Sequence, residues 1–354
     1  MTAQTMPAQP AEDTTLRPLP WRRMAGVIWR QHRFALVTVA VVFGGAAIYL
    51  WLVGSTLHNA YAAAVACHPV GSAGCQDLVN TFNGLDSFLS NGIIIQVLPV
   101  LIGAFIGAPL LAREIETGTF RYTWTQGFGR WRWTFAKLAA LGLSVTVAAE
   151  LFSLVLGWFY QPYFSTANYA LGVNEISPFN SGLFDLGRVT FAAWTLAAFA
   201  TGALAGILVR RVIPAMFATL AACGGLAFAT GAFLRGHYAA PLTSTNPDVN
   251  THGAWVISQV WSRGGSPASL DMIRQTLHAI DVQALTPGLF QPGPATPPSI
   301  DPLHYLVQHG YTLLTTYQPA SRFWAFQWIE GGWLLALSVL LIASTVWLVR
   351  RRAV

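Results

Sequence analysis

Six stretches of this chain, 34–53, 92–111, 138–160, 189–209, 212–234 and 326–348, are long apolar runs in which Glu150 and Glu330 are the charges that intrude. A helix needs about 20 apolar residues to cross a hydrocarbon core of ~30 Å, whereas a membrane strand needs about half that. In lipid every backbone N–H and C=O must be satisfied within the protein, so unbroken runs of this length fold as helices. The expected fold is an all-α integral membrane protein with six transmembrane helices. Arg210 and Arg211 alone separate the fourth and fifth runs, which makes that pair a tight helical hairpin.

The charges sort by side. Arg17, Arg22, Arg23, Arg30 and Arg33, the basic residues of loop 112–137, the hairpin pair and Arg350 to Arg352 put 15 of 20 basic side chains on the side that holds the N-terminus. The opposite side has Arg188, Arg235, Arg263, Arg274 and Arg322, outnumbered by Asp77, Asp86, Glu175, Asp185, Asp248, Asp271, Asp281 and Asp301. Basic loops stay in the cytoplasm, so both termini are expected to be cytoplasmic in a multi-pass plasma-membrane protein. The net charge of +6 then reflects topology and implies no nucleic-acid partner. Residues 1–20 are polar and Pro-rich and resemble no cleavable signal, which leaves the first run as an anchor.

Four regions follow: a tail with an interfacial helix at 1–33, spans one to five at 34–234 around the cytoplasmic loop 112–137, an extracellular region at 235–325, and the last span with a basic tail at 326–354. Trp21, Met24, Ile28 and, less squarely, Val27 fall on one side of a helix with arginines elsewhere around it. Such a segment lies along the headgroups as an elbow, or docks a soluble partner. Pro214, Gly224, Gly225 and Gly231 mark the fifth span as a place of close helix approach, a cavity wall or a dimer contact. In the outer region Ser266-Pro267 reads as a helix start, followed by an apolar stripe of Leu270, Ile273, Leu277 and Ile280. Cys67 and Cys75 share the first outer loop, where an oxidising exterior permits a disulfide. Cys223, inside the fifth span, reads as a small buried thiol.

Several chemistries are excluded. Lys137 is the one lysine and Leu138 follows it, so the G-K-[ST] core of a P-loop is missing and the chain cannot be its own P-loop ATPase. The histidines are scattered; His304 and His309 are five apart, not the three or four that would align two metal ligands on one helical face. Neither H-E-x-x-H nor G-x-S-x-G occurs. No catalytic residue, metal or cofactor is expected on this chain. Glu150, deep in the third span, is the candidate for a transport pathway, since an intramembrane acid faces a bundle interior or a watery route.

Loop 112–137 carries the most specific pattern. Thr117 or Thr119 caps a short helix that Gly127 and Gly129 end. Phe120 and Trp124, four apart, share a face that needs either a partner surface or the headgroup region. Glu114 and Glu116 lie on the approach, available to pair with Arg113, Arg121 or a partner's basic residues. Glu116 just before Thr117-Gly118-Thr119, the short helix, and the run through Gly127, Arg130 and Lys137 resemble the loop between the second and third spans of type-2 ABC exporter permeases. The six-span layout resembles theirs as well. Tyr317 to Trp324 is similar to a subgroup with large outer loops. Two departures stand out: Gly127-Phe128-Gly129-Arg130 replaces the Pro-Val-Ser-Arg of many such permeases, and the outer region exceeds that of the compact members.

The resemblance implies a permease subunit that moves a substrate outward using ATP and Mg bound by a separate ABC ATP-binding subunit. That partner would contact Glu114, Glu116, Thr117, Gly118, Thr119, Phe120, Trp124 and Arg130. It also implies a dimer, with a second copy or with a similar permease, surrounded by membrane lipids. The rival reading is a membrane-anchored sensor or assembly protein built around the extracellular region, which would have no use for the aromatic inner helix.

Overall fold

The computed structural model describes residues 21–69, 72–84, 92–118, 130–165, 176–277 and 302–352. Six helices are long and apolar enough to span a membrane: Gly26–Ala66, Ile94–Glu116, Trp131–Phe164, Arg188–Val209, Val212–His237 and Ala320–Arg351, here spans one to six. Span four is the hub, with 67% of its most apolar stretch buried against 17% for spans one and five.

Span one belongs to a single helix, Trp21–Ala66, of 46 residues, about 69 Å at 1.5 Å per residue. The segment expected as an elbow continues this helix without a break. No proline lies between Pro20 and Pro69, and Ile28 packs on Trp133 and Ala136 of span three, so the N-terminal end of the rod is braced. A disulfide joins Cys67, just past the rod, to Cys75 in the helix Ala73–Gly84, with Cα atoms 5.6 Å apart.

Spans two and four meet backbone to backbone. Span two carries a π-turn at Gly103–Gly107; Gly202 of span four sits against Gly103, Gly107 against Phe199, and Gly206 against Ala108. A Cβ on Gly107 would lie 2.5 Å from the Phe199 carbonyl oxygen and one on Gly206 2.5 Å from that of Ala108; Gly103 and Gly202 are tighter still. Small residues four apart on both helices let lipid-embedded backbones approach this closely. The glycines of span five behave differently. Gly224, Gly225 and Gly231 have nothing within 4 Å of a built Cβ, and Pro214 falls in the first turn of Val212–Ala229, where its missing N–H has no helical partner to lose.

The all-α expectation fails outside the membrane. The region between spans five and six holds a four-stranded antiparallel sheet in the order β1-β4-β2-β3, made of β1 (Leu242–Ser244), β2 (Trp255–Arg263), β3 (Ser266–Pro267) and β4 (Tyr311–Gln318). Ser266-Pro267 is therefore an edge strand. Gly264 and Gly265, with φ of 58° and 83°, form the two-residue turn that brings it back on β2, a geometry requiring positive φ at both positions. The helix starts later, at Leu270–Leu277, where Ser269 Oγ accepts from Met272 N–H at 3.3 Å. Ile273 and Leu277 of the expected stripe do pack, with Leu306 and Tyr311, under one face of the sheet; Ile280 lies outside the described residues. Phe179, Phe184 and Phe326, joined by Trp255 and Tyr238, seat this cap on the bundle.

Candidate functional site

Two polar nodes tie the spans together, one at the end of the bundle near Gly118, which is the inner end in the topology expected from the sequence, and one at the opposite end beside the sheet, the outer end in that topology. At the inner end, span two closes with Glu114, Glu116 and Thr117. Thr117 N–H and Oγ1 both donate to Arg113 O, at 3.0 and 2.7 Å. Gly118 turns the chain out with φ of 70°, a left-handed conformation natural at a helix C-terminus. Glu114 accepts from Lys137 Nζ of span three and from Gln31 Nε2 of the long first helix at 3.2 Å. Lys137 is 1% exposed and its ammonium lies 5.8 Å from the Trp133 ring centroid. Glu116 Oε2 accepts the Val212 N–H at 3.0 Å, capping span five, whose own N-cap residue Arg211 supplies no side-chain bond.

Among the described residues these acids pair with other spans of their own chain; Arg121, one of their expected partners, lies outside the described residues. Thr119, Phe120 and Trp124 lie outside the described residues, and Arg130 is described only as the first residue of the helix Arg130–Tyr160. Glu114, Glu116, Thr117 and Gly118 do come together at the foot of spans one, two, three and five.

At the outer end, Arg235 of span five is 3% exposed. Its Nε and Nη2 donate to the two oxygens of Glu330 of span six at 3.1 and 2.9 Å, and Nη2 also reaches Asp185 Oδ1. Glu330 accepts further from Trp194 Nε1 and Tyr238 Oη–H, both at 3.2 Å, so every lone-pair direction of this fully buried carboxylate is engaged. Gln96 Nε2 of span two donates to Asp185 Oδ2 at 3.3 Å. Gln327 binds Thr190 and Phe184 O, at 2.9 and 2.8 Å. The Arg235 guanidinium lies 4.2 Å from the Phe184 ring centroid, a cation–π arrangement. Burial pushes the Asp185 carboxyl up to about 7, with Arg235 opposing the shift and Glu330 adding to it.

Sequence reasoning missed this node. Arg235 follows one apolar run, Asp185 shortly precedes another and Glu330 sits in the first turns of a third, and opposite charges at matching depth were the available signal. Glu150, expected on a pathway, is half-buried in span three. Its backbone carbonyl accepts from Ser153 Oγ at 2.7 Å. It joins neither node.

Beneath the cap, Ser177, Phe179, Asn180, Ser181, Ala254, Trp255, Val256, Gly231 and Arg235 line a cavity of about 320 Å³.

Six membrane-length helices around a buried fourth span, locked by ion pairs at both ends, define a multi-pass membrane protein. The chain belongs to the ABC-2 membrane transporter related family, whose model matches residues 26–235, and it is an ABC transporter permease. The match ends at Arg235, before the cap and span six. Comparison with curated proteins and with solved structures returned no match.

Proposed function

We propose that this permease is the membrane half of an exporter, powered by ATP and Mg on a separate ATPase subunit, with both termini cytoplasmic and a second permease copy completing the assembly. The observation that carries the coupling is the inner node. Span two enters the loop at 119–129 through Glu114 and Glu116, which hold Lys137, Gln31 and Val212. A force applied to that loop therefore reaches spans one, two, three and five together. Phe120 and Trp124 supply the face on which the ATPase pushes, since buried aromatics dominate contacts of this kind. Spans one and five, with little of their surface covered within the chain, supply the face for the second copy.

Replacing Phe120 and Trp124 together by Ala tests this. The expected result is a protein that inserts and assembles normally but no longer copurifies with its ATPase and no longer transports. A double variant that keeps both would make the loop a membrane-surface element and remove the coupling role.

A further inference from the structure

The cavity beneath the cap has one wall unlike the others. Arg235 is almost wholly buried, and two of its three guanidinium nitrogens are spent on Glu330 and Asp185. Nη1 makes no hydrogen bond among the described residues. Asn180 adds a second donor, because its Oδ1 accepts from Gly182 N–H at 2.8 Å and leaves the amide nitrogen available. Part of the remaining lining is apolar, with Phe179 and Trp255 stacked at 6.3 Å and Val256 among the lining residues. Gly231 of span five, itself exposed, also lines the cavity, and a Cβ there would meet nothing within 4 Å. On the same helix end Phe228 and Phe233 are exposed and in edge contact at 6.1 Å, so the cavity borders a surface that faces hydrocarbon.

Charge narrows the ligand. The guanidinium is already matched by the Glu330 carboxylate, which takes two of its hydrogen bonds, so the cavity offers hydrogen-bond donors without a net positive field, and a free anion gains little there. Size narrows it further, because about 320 Å³ is near the small end of ligand pockets, which run from about 300 to 1,000 Å³. We propose that this cavity holds the uncharged, oxygen-bearing end of an amphiphile, its oxygens accepting from Arg235 Nη1 and Asn180 Nδ2 while its apolar remainder leaves across Gly231 along Phe228 and Phe233. This rests on the membrane placement of span five and not on the ATPase reading, so either can fail alone.

A monoacylglycerol with a photoreactive group next to its ester, offered to the full chain in phosphatidylcholine nanodiscs, tests the site. Crosslinks on 177–181 and 254–256 are expected. Gly231→Leu should abolish them at an unchanged melting temperature, because the new side chain grows into open space. Asn180→Asp, which keeps the acceptor for Gly182 and removes the donor, should weaken labelling about tenfold, the scale of one lost hydrogen bond. Oleylamine, which has the tail without an oxygen acceptor, should not compete. Labelling that is absent from these segments, indifferent to both substitutions, or displaced equally by oleylamine overturns the proposal. Two sources share this chemistry: a bilayer lipid retained on the protein in native mass spectrometry marks a resident, whereas ATP-dependent movement of the monoacylglycerol marks cargo, and Gly231→Leu should abolish whichever is found.

Discussion

Glu330→Gln should cost the folded protein about 3 kcal/mol, at the low end of the 3 to 5 kcal/mol typical of breaking a buried ion pair. Glu330 is fully buried and receives four donated hydrogen bonds, two of them from Arg235. Glutamine keeps one acceptor oxygen, but its amide nitrogen then confronts a donor where the second oxygen stood, and Arg235 loses the carboxylate that takes two of its hydrogen bonds. Asp185 still holds Nη2, which is why the low end of the range applies. Equilibrium unfolding by SDS in mixed micelles reads the change as a shift of the midpoint at constant slope. The companion variant, Arg235→Met with Glu330→Met and Asp185→Asn, removes every charge of the node and should recover most of the loss, because well-packed apolar residues often replace a buried pair at little cost. A Glu330→Gln protein within about 0.5 kcal/mol of the parent, the range of an ordinary surface substitution, would refute the claim that this node clamps spans four, five and six.

Three further outcomes follow from the geometry. Gly202→Leu should abolish the monodisperse folded fraction in size-exclusion chromatography, since its Cβ would drive into the Gly103 carbonyl; a normal profile would mean that spans two and four are not in backbone contact. The folded Asp185 carboxyl, at about 7 against 3.8 unperturbed, keeps a proton that the unfolded chain releases, so stability should fall as pH rises from about 4 to 7. Asp185→Asn should flatten that slope, and an unchanged slope would assign it to another group. Single cysteines at Gly118 and Asn246 should react with an impermeant maleimide on opposite sides of the membrane, the second in intact cells; the background is low because Cys67 and Cys75 are bonded and Cys223 is buried.

The spans were legible because hydrocarbon leaves a chain so few options that length and apolarity decide the element. Their mutual packing was less so. Gly103, Gly107, Gly202 and Gly206 form a matched pair of small-residue ladders, yet the conspicuous glycines of span five drew the eye, and those are open within the chain. The cap was readable in part. Trp255 to Arg263 and Tyr311 to Gln318 are rich in aromatic and β-branched residues, a strand signature, and Gly264-Gly265 after the first of them signals a turn, but Ser266-Pro267 is equally a helix opening and only pairing with β2 separates the two. The partners of Glu114 and Glu116 were beyond reach, because Lys137, Gln31 and Val212 are distant in sequence and nothing local points to them.

The inner node has a practical corollary. Lys137 carries the chain's one side-chain amine, and it is sealed beneath Glu114 at the junction of three helices. Amine-directed acylating reagents therefore find no ε-amino group on the resting protein. Any acylation inside the chain times the moment at which spans one, two and three part, so an ordinary lysine reagent becomes a clock for the opening of the inner face.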